Sequence, residues 1–221
     1  MPLNPPLGSP FRLIEHQRSG AIALPTRQDV AIVICGGGDP FAEFKRATDM
    51  CFEVEKPYTI FAGNDMIAEF CGHMQNALTL HPDKIGHWLG KRRANGFEPP
   101  DKIWSHRPFT GVSDWTRDWA GSTGLFCVKV ARELGFVHVM LCGVHMSIES
   151  DHFVRKAPWK NAIGFRRGWE MRWPALRPYV KSFGGWTKEN LGEPTIEWLR
   201  EDIEDKHRQH APPTHNRGQT A

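Results

Sequence analysis

The 221-residue sequence has no apolar run of about 18 residues and no charged segment leading into an apolar one, so it reads as a soluble, cytoplasmic protein with neither membrane span nor leader. Cysteine is scarce and unpatterned. The five residues Cys35, Cys51, Cys71, Cys127 and Cys142 include no Cys-x-x-Cys pair, which speaks against a disulfide framework or a thiolate zinc site. The glycine-rich and metal signatures are missing as well: there is no Gly-x-Gly-x-x-Gly, no Gly-Lys-Ser/Thr, no His-x-His and no His-Glu-x-x-His. No repeat of about 20 to 50 residues points to a solenoid. Net charge is small at +3, from 28 basic and 25 acidic residues, so no class of partner follows from charge alone.

What is present is regional. From Phe153 to Lys181 eight basic residues face a single acid, Glu170. Residues 1–28 carry five prolines and little periodicity, which predicts an extended arm, and residues 206–221 contain no apolar side chain larger than alanine, which predicts a disordered tail. Between them lie a core over residues 29–150 and a basic, aromatic segment with a C-terminal helix over residues 151–205.

The core alternates. Apolar runs rich in Val, Ile and Phe at Val30 to Cys35, Tyr58 to Ala62, Ala77 to Leu80, Lys102 to Trp104 and Val137 to Val144 read as strands. Helix-compatible stretches separate them, which is the α/β signature. The clearest helix runs from Thr123 to Leu134, with Ser122 or Thr123 as cap, Phe126, Val130 and Leu134 repeating at four, and Gly135 as the stop. Two more are expected at Phe41 to Met50 and Asn64 to Met74, and a short acidic one at Thr195 to Asp202. Each strand runs into a polar turn, and in a parallel sheet those turns share the carboxyl edge, where open α/β sheets bind ligands.

Gly36-Gly37-Gly38, after a strand and before a helix, suits either a phosphate-binding turn or a tight strand-to-helix connection. Gly121-Ser122-Thr123-Gly124 presents two hydroxyls and free N–H groups at a helix start, fit for an anion or for plain capping. Asn64 and Asp65 suit a base, a ribose or an ordinary turn. His81, His106 and His145 each stand at a strand end, where an imidazole can move protons near neutral pH. No spacing among them marks a metal site. In the basic segment, Phe153, Trp159, Phe165, Trp169, Trp173 and Tyr179 alternate with charge, which fits single-stranded nucleic acid, a lid over a nucleotide diphosphate, or a solvated face with an apolar underside.

The ordered set Ala31 to Gly38, Gly63-Asn64, Gly121 to Leu125, Gly135-Phe136 and Val139 to Val144 resembles a Rossmann-like superfamily. That superfamily includes bacterial oligosaccharide sialyltransferases, archaeal 6-hydroxymethylpterin diphosphokinase-like proteins and uncharacterised phage proteins. The resemblance covers about residues 30–147. It implies a mostly parallel, doubly wound sheet with a C-terminal basic and aromatic lid. It also implies a nucleotide bound across the glycine turn, with Asn64, Ser122 and Thr123 contacting sugar, phosphate or base. The sialyltransferases carry an acidic residue just after the last matched strand, where this sequence has His145, and a lid histidine as base, for which His152 lies in the corresponding neighbourhood. The diphosphokinase-like members use Mg²⁺ held by carboxylates, for which Asp39, Asp65, Asp83 and Asp151 are the candidates.

The expectation is therefore a nucleotide-dependent transferase, glycosyltransferase-like or diphosphokinase-like, using a nucleotide-sugar or nucleoside triphosphate donor. Gly36, Gly37, Gly38, Gly124, Ser122 and Thr123 would cradle phosphates, Arg166 and Arg167 would neutralise the leaving group, and His145 or His152 would take the acceptor's proton. The alternative is a non-catalytic module, a phage component for instance, that binds nucleic acid or protein through Phe153 to Lys181.

Overall fold

The computed structural model describes residues 30–203, so the expected arm over 1–28 and the expected tail over 206–221 lie outside the described residues. Five strands fall close to where the apolar runs predict them: β1 (Val30–Ile34), β2 (Tyr58–Gly63), β3 (Asn76–Thr79), β4 (Lys102–Ser105) and, after the short β5 (Asp114–Trp115), β6 (His138–Cys142). With β9 (Val180–Ser182) they make one seven-stranded sheet in the order β5-β4-β3-β2-β1-β6-β9. Every neighbouring pair in it is parallel. A separate antiparallel pair joins β7 (Asp151–His152) to β8 (Ala157–Pro158).

All five residues of β1 are buried, because helices cover both faces of its sheet. Alternation survives inside that burial: Ala31 and Val33 join one core, while Val30, Ile32 and Ile34 join the other. On the first face lies α4 (Thr123–Glu133), which contributes Phe126, Val130 and Ala131. On the second face α1 (Pro40–Glu53) contributes Phe44, Ala47 and Cys51, beside α2 (Met66–Glu69) and Trp88 of α3 (Ile85–Ala94). The fold is thus α/β and Rossmann-like, its parallel sheet wound on both sides. No helix among the described residues is long and apolar enough to cross a membrane.

The basic segment folds onto the first face. α5 (Ala162–Glu170) and α6 (Trp173–Leu176) place Trp169, Trp173 and Leu176 in the core with α4, and Tyr179 follows them. Two of its arginines lie over other rings: Arg172 is 5.1 Å from the ring centre of Trp119 and Arg166 is 4.6 Å from that of Trp186 in α7 (Gly185–Leu191). The last helix among the described residues is α8 (Ile196–Arg200), whose Trp198 and Leu199 pack on the second face.

Several sequence expectations need adjustment. The helix expected at Asn64 to Met74 is only the single turn α2, while α3 carries no legible stripe, since Gly86 and Gly90 interrupt it and only Ile85, Trp88 and Arg92 are buried.

Two outcomes follow from this packing. A Cβ at Gly86 or Gly90 would meet nothing within 4 Å, so alanine at either should raise stability by about 0.5–1 kcal/mol, whereas Gly143→Ala should cost about 3 kcal/mol or more in urea titrations. Gly143 has φ +67, and its Cβ would lie 2.1 Å from the Cys35 carbonyl oxygen.

The second concerns His138, buried in β6, which hydrogen-bonds through Nε2 to the Trp198 carbonyl at 2.9 Å and leaves Nδ1 without a partner. Burial lowers its pKa from 6.5 to about 4. The unfolded chain therefore binds this proton first as pH falls. Stability should be full above pH 6.5 and decline toward pH 4, by roughly 3 kcal/mol from this group. Urea midpoints at several pH values should show that slope, and His138→Gln should shrink it.

Candidate functional site

Chain connections leave β1 in one direction toward β2 and in the other toward β6, so a crevice opens beyond the carboxyl ends of β1 and β6. The two turns there are laced together. Cys35 N donates to the Cys142 carbonyl at 2.9 Å and Gly37 N to the Gly143 carbonyl at 2.8 Å. Gly38 has φ +59, and a Cβ on it would fall 2.0 Å from Cε1 of His145. The absent side chain is what lets the imidazole lie directly on the glycine turn.

His145 is held at both nitrogens. Nε2 lies 2.6 Å from Oε1 of Glu43 in the first turn of α1, and Nδ1 lies 2.9 Å from Oγ of Ser150. The second Glu43 oxygen accepts from Gly143 N at 2.7 Å. With Glu43 as a carboxylate and the imidazole neutral, Nε2 carries the proton and Nδ1 accepts from the Ser150 hydroxyl. Side-chain exposure of only 11% for His145 and 13% for Glu43 strengthens both contacts by keeping water out.

A second imidazole flanks the turn. His152 lies over Gly36, where a Cβ would come within 2.7 Å of its ring. Its Nδ1 accepts from Val154 N at 3.3 Å and Arg155 N at 3.4 Å, which leaves the proton on Nε2, facing Oδ2 of Asp65 at 3.6 Å. Asp65 is fixed in turn by Trp88 Nε1 at 2.9 Å. Burial lowers the His152 pKa, and Asp65 opposes that shift. His81 is also lowered, by burial first and by Lys84 next.

The remaining sequence candidates divide by how they are used. Asn64, at φ +52, accepts through Oδ1 from the hydroxyls of Thr79 at 2.9 Å and Thr123 at 3.2 Å, tying the end of β3 to the start of α4. Ser122 caps α4, accepting from Leu125 N at 3.3 Å, and also accepts from Trp169 Nε1 at 3.2 Å. Gly124 packs on Val144, and Gly168 of α5 abuts the Ala120 carbonyl. The start of α4 is thus turned inward and covered. Arg166 donates to the Met146 carbonyl at 2.9 Å, bracing the residue after His145, while Arg167 is exposed on α5.

The amides of the glycine turn are engaged too. Gly38 N donates to the Asp151 carbonyl at 2.9 Å and Phe153 N to the Gly36 carbonyl at 2.6 Å, so residues 151–153 lie antiparallel across the turn, Gly37 opposite His152.

The carboxylates named for Mg²⁺ do not converge: Asp39 caps α1 through Ala42 N at 3.1 Å, and Asp65 serves Trp88 and His152. Among the described residues no three His, Cys, Asp or Glu side chains form a metal-holding group.

Sequence reasoning placed His145, His152 and Gly36 to Gly38 at one edge and missed Glu43 and Ser150. Glu43 stands 102 residues from His145, and its only signal was an acid in the first turn after Gly-Gly-Gly-Asp-Pro.

Replacing Asn64 by alanine removes two hydrogen bonds and places an ordinary side chain at positive φ, so it should cost about 2–4 kcal/mol in thermal or urea unfolding. Asn64→Gly should cost less, since only the hydrogen bonds are lost.

Comparison with protein-family models, with curated proteins and with solved structures finds no match.

Proposed function

We propose that this chain is a nucleotide-dependent transferase, glycosyltransferase-like or diphosphokinase-like, that moves a group from a nucleotide-sugar or nucleoside triphosphate to an acceptor hydroxyl. The observation that carries the reading is the seat of His145: a base oriented by Glu43 rests on the glycine turn at the switch point of a doubly wound sheet. A donor bound at that turn would bring its leaving bond beside the base. The Ser150 hydroxyl, 2.9 Å from Nδ1, marks where the acceptor hydroxyl would sit. The acceptor's proton would pass to Nδ1, and Glu43 would stabilise the imidazolium through Nε2–H.

For the donor to reach Gly38 N, its phosphate must replace the Asp151 carbonyl. Residues 151–158 then act as a lid, held at the turn by one bridge and ending in the two-residue strands β7 and β8. Arg155 and Lys156 are exposed on that hairpin and would neutralise the donor's charge, joined by Arg167 on α5. Arg166 keeps the loop after His145 in place. Nucleic-acid binding through Phe153 to Lys181 finds less support, because Trp169, Trp173 and Tyr179 are core side chains rather than open stacking platforms.

The test is thermal unfolding with CMP, UDP, GDP, ADP and their triphosphates. Occupancy at a hundredfold excess over Kd adds about 2.7 kcal/mol, so a bound nucleotide should raise Tm by several degrees. Glu43→Gln should keep that shift and lose turnover; no shift with any nucleotide at millimolar concentration overturns the reading.

A further inference from the structure

Ser150, His145 and Glu43 form an unbroken chain of hydrogen bonds, 2.9 Å and then 2.6 Å, which is the arrangement that turns a hydroxyl into a nucleophile: a hydroxyl on a base, the base on a carboxylate. The carboxylate is itself fixed by Gly143 N at 2.7 Å, so the imidazole has no freedom to turn its bare nitrogen away from Ser150. Ser150 keeps partial exposure, and its two partners retain only 11% and 13% of theirs. Nothing in the packing of the loop requires this. A serine that merely pinned the turn would be served as well by a backbone carbonyl.

We propose that Ser150 is a nucleophile and that, in the conformation with residues 151–153 across the glycine turn, it takes carboxylic esters. The ester class follows from charge. Glu149 and Asp151 flank Ser150 in sequence and Glu43 stands behind the imidazole, so the acids stand at Ser150 itself and disfavour an anionic group there, whereas the phosphate of the nucleotide reading would lie at Gly38 N beside Arg155 and Lys156 once residues 151–153 have lifted. The same loop exposes Ile148 and Val154, apolar surface suited to an acyl or alkoxy chain. In the step, the Oγ–C bond forms as the hydroxyl proton moves to Nδ1. The C–O bond to the alkoxide then breaks as Nδ1 returns that proton to the leaving alcohol. Water repeats the sequence on the acyl-serine, releasing the carboxylic acid and restoring Ser150. This activity does not rest on the nucleotide reading.

The test uses the full chain with an uncharged alkyl fluorophosphonate, in which the Oγ–P bond forms, fluoride leaves and the proton again passes to Nδ1. Intact mass and peptide mapping should find one adduct, on Ser150, absent from Ser150→Ala. Glu43→Gln keeps an acceptor for Gly143 N and should slow labelling about 100-fold, whereas Ser147→Ala, two positions from His145 in sequence, should label at the normal rate. His145→Gln provides a second disabled relay, and circular dichroism shows whether each variant is folded. No adduct, an adduct on another residue, or equal labelling rates in folded Glu43→Gln and the unsubstituted chain overturns the proposal. A nucleotide-induced Tm shift in the same protein is read separately, so either reading can fail alone.

Discussion

Two turns meet at the carboxyl ends of β1 and β6 with no side chain between them, and the rest of the site depends on that approach. With Gly143 in the left-handed region and the Cys35 carbonyl directly against it, the turn after β6 crosses the turn after β1 at backbone distance. Gly38 then leaves open the space that the His145 ring fills, and Gly36 does the same for His152. Any Cβ at these positions would push an imidazole or a backbone away. The glycine run is therefore first a packing device, and whatever chemistry occurs at this edge uses groups that the glycines allow to come close.

The cost of burying Glu43 and His145 together sets how the pair behaves. A carboxylate removed from water is expensive unless its lone pairs are filled. Glu43 meets this with a backbone amide on one oxygen and an imidazole N–H on the other. The charge is thereby held at the first turn of α1, the positive end of that helix. A second carboxylate and imidazole, Asp65 and His152, flank the same turn on its other side, with Trp88 as the anchoring donor. The two histidines differ in what their other nitrogen does. Nδ1 of His152 is spent on backbone amides, whereas Nδ1 of His145 faces a hydroxyl, so only His145 is disposed to take a hydroxyl proton.

The sheet and its polar edge were legible because central parallel strands are buried on both faces and read as continuous apolar runs, as Val30 to Ile34 does. The helix at Thr123 was legible for a local reason: its cap, its repeat and its stop at Gly135, φ +95, are all written within a few residues. What stayed hidden depends on long-range contact. Glu43 looks like any acid in a first helical turn until β6 delivers His145 to it. The aromatic, basic run from Phe153 looked like a ligand surface because its sequence shows the arginines and tryptophans together; in the fold the rings of Trp169 and Trp173 face α4 while Arg166 and Arg172 lie over rings at the rim. Ser122 and Thr123 kept their capping chemistry and gave their remaining hydrogen-bonding capacity to Trp169 and Asn64 rather than to the crevice.

The segment across the glycine turn links these observations. Backbone carbonyls and phosphate oxygens suit the same kind of donor, so the amide of Gly38, which serves residue 151, would be open to an anion if that segment lifted. Two backbone hydrogen bonds net of water are worth only about 1–3 kcal/mol together, β7 and β8 add one two-residue pairing, and the Phe153 ring, edge-on to Phe41 at 5.1 Å, adds its packing on the second face. Lifting this cover also withdraws Ser150 from Nδ1, since Ser150 immediately precedes it in the chain. On the proposed reading the base would be exposed in the same motion. A hydroxyl from an acceptor and a phosphate from a donor would each replace one protein group, the Ser150 hydroxyl and the Asp151 carbonyl, and those two groups are consecutive residues. On the proposed reading, occupation of this edge by one ligand would lower the cost of admitting the other, which is the coupling a two-substrate transfer would use.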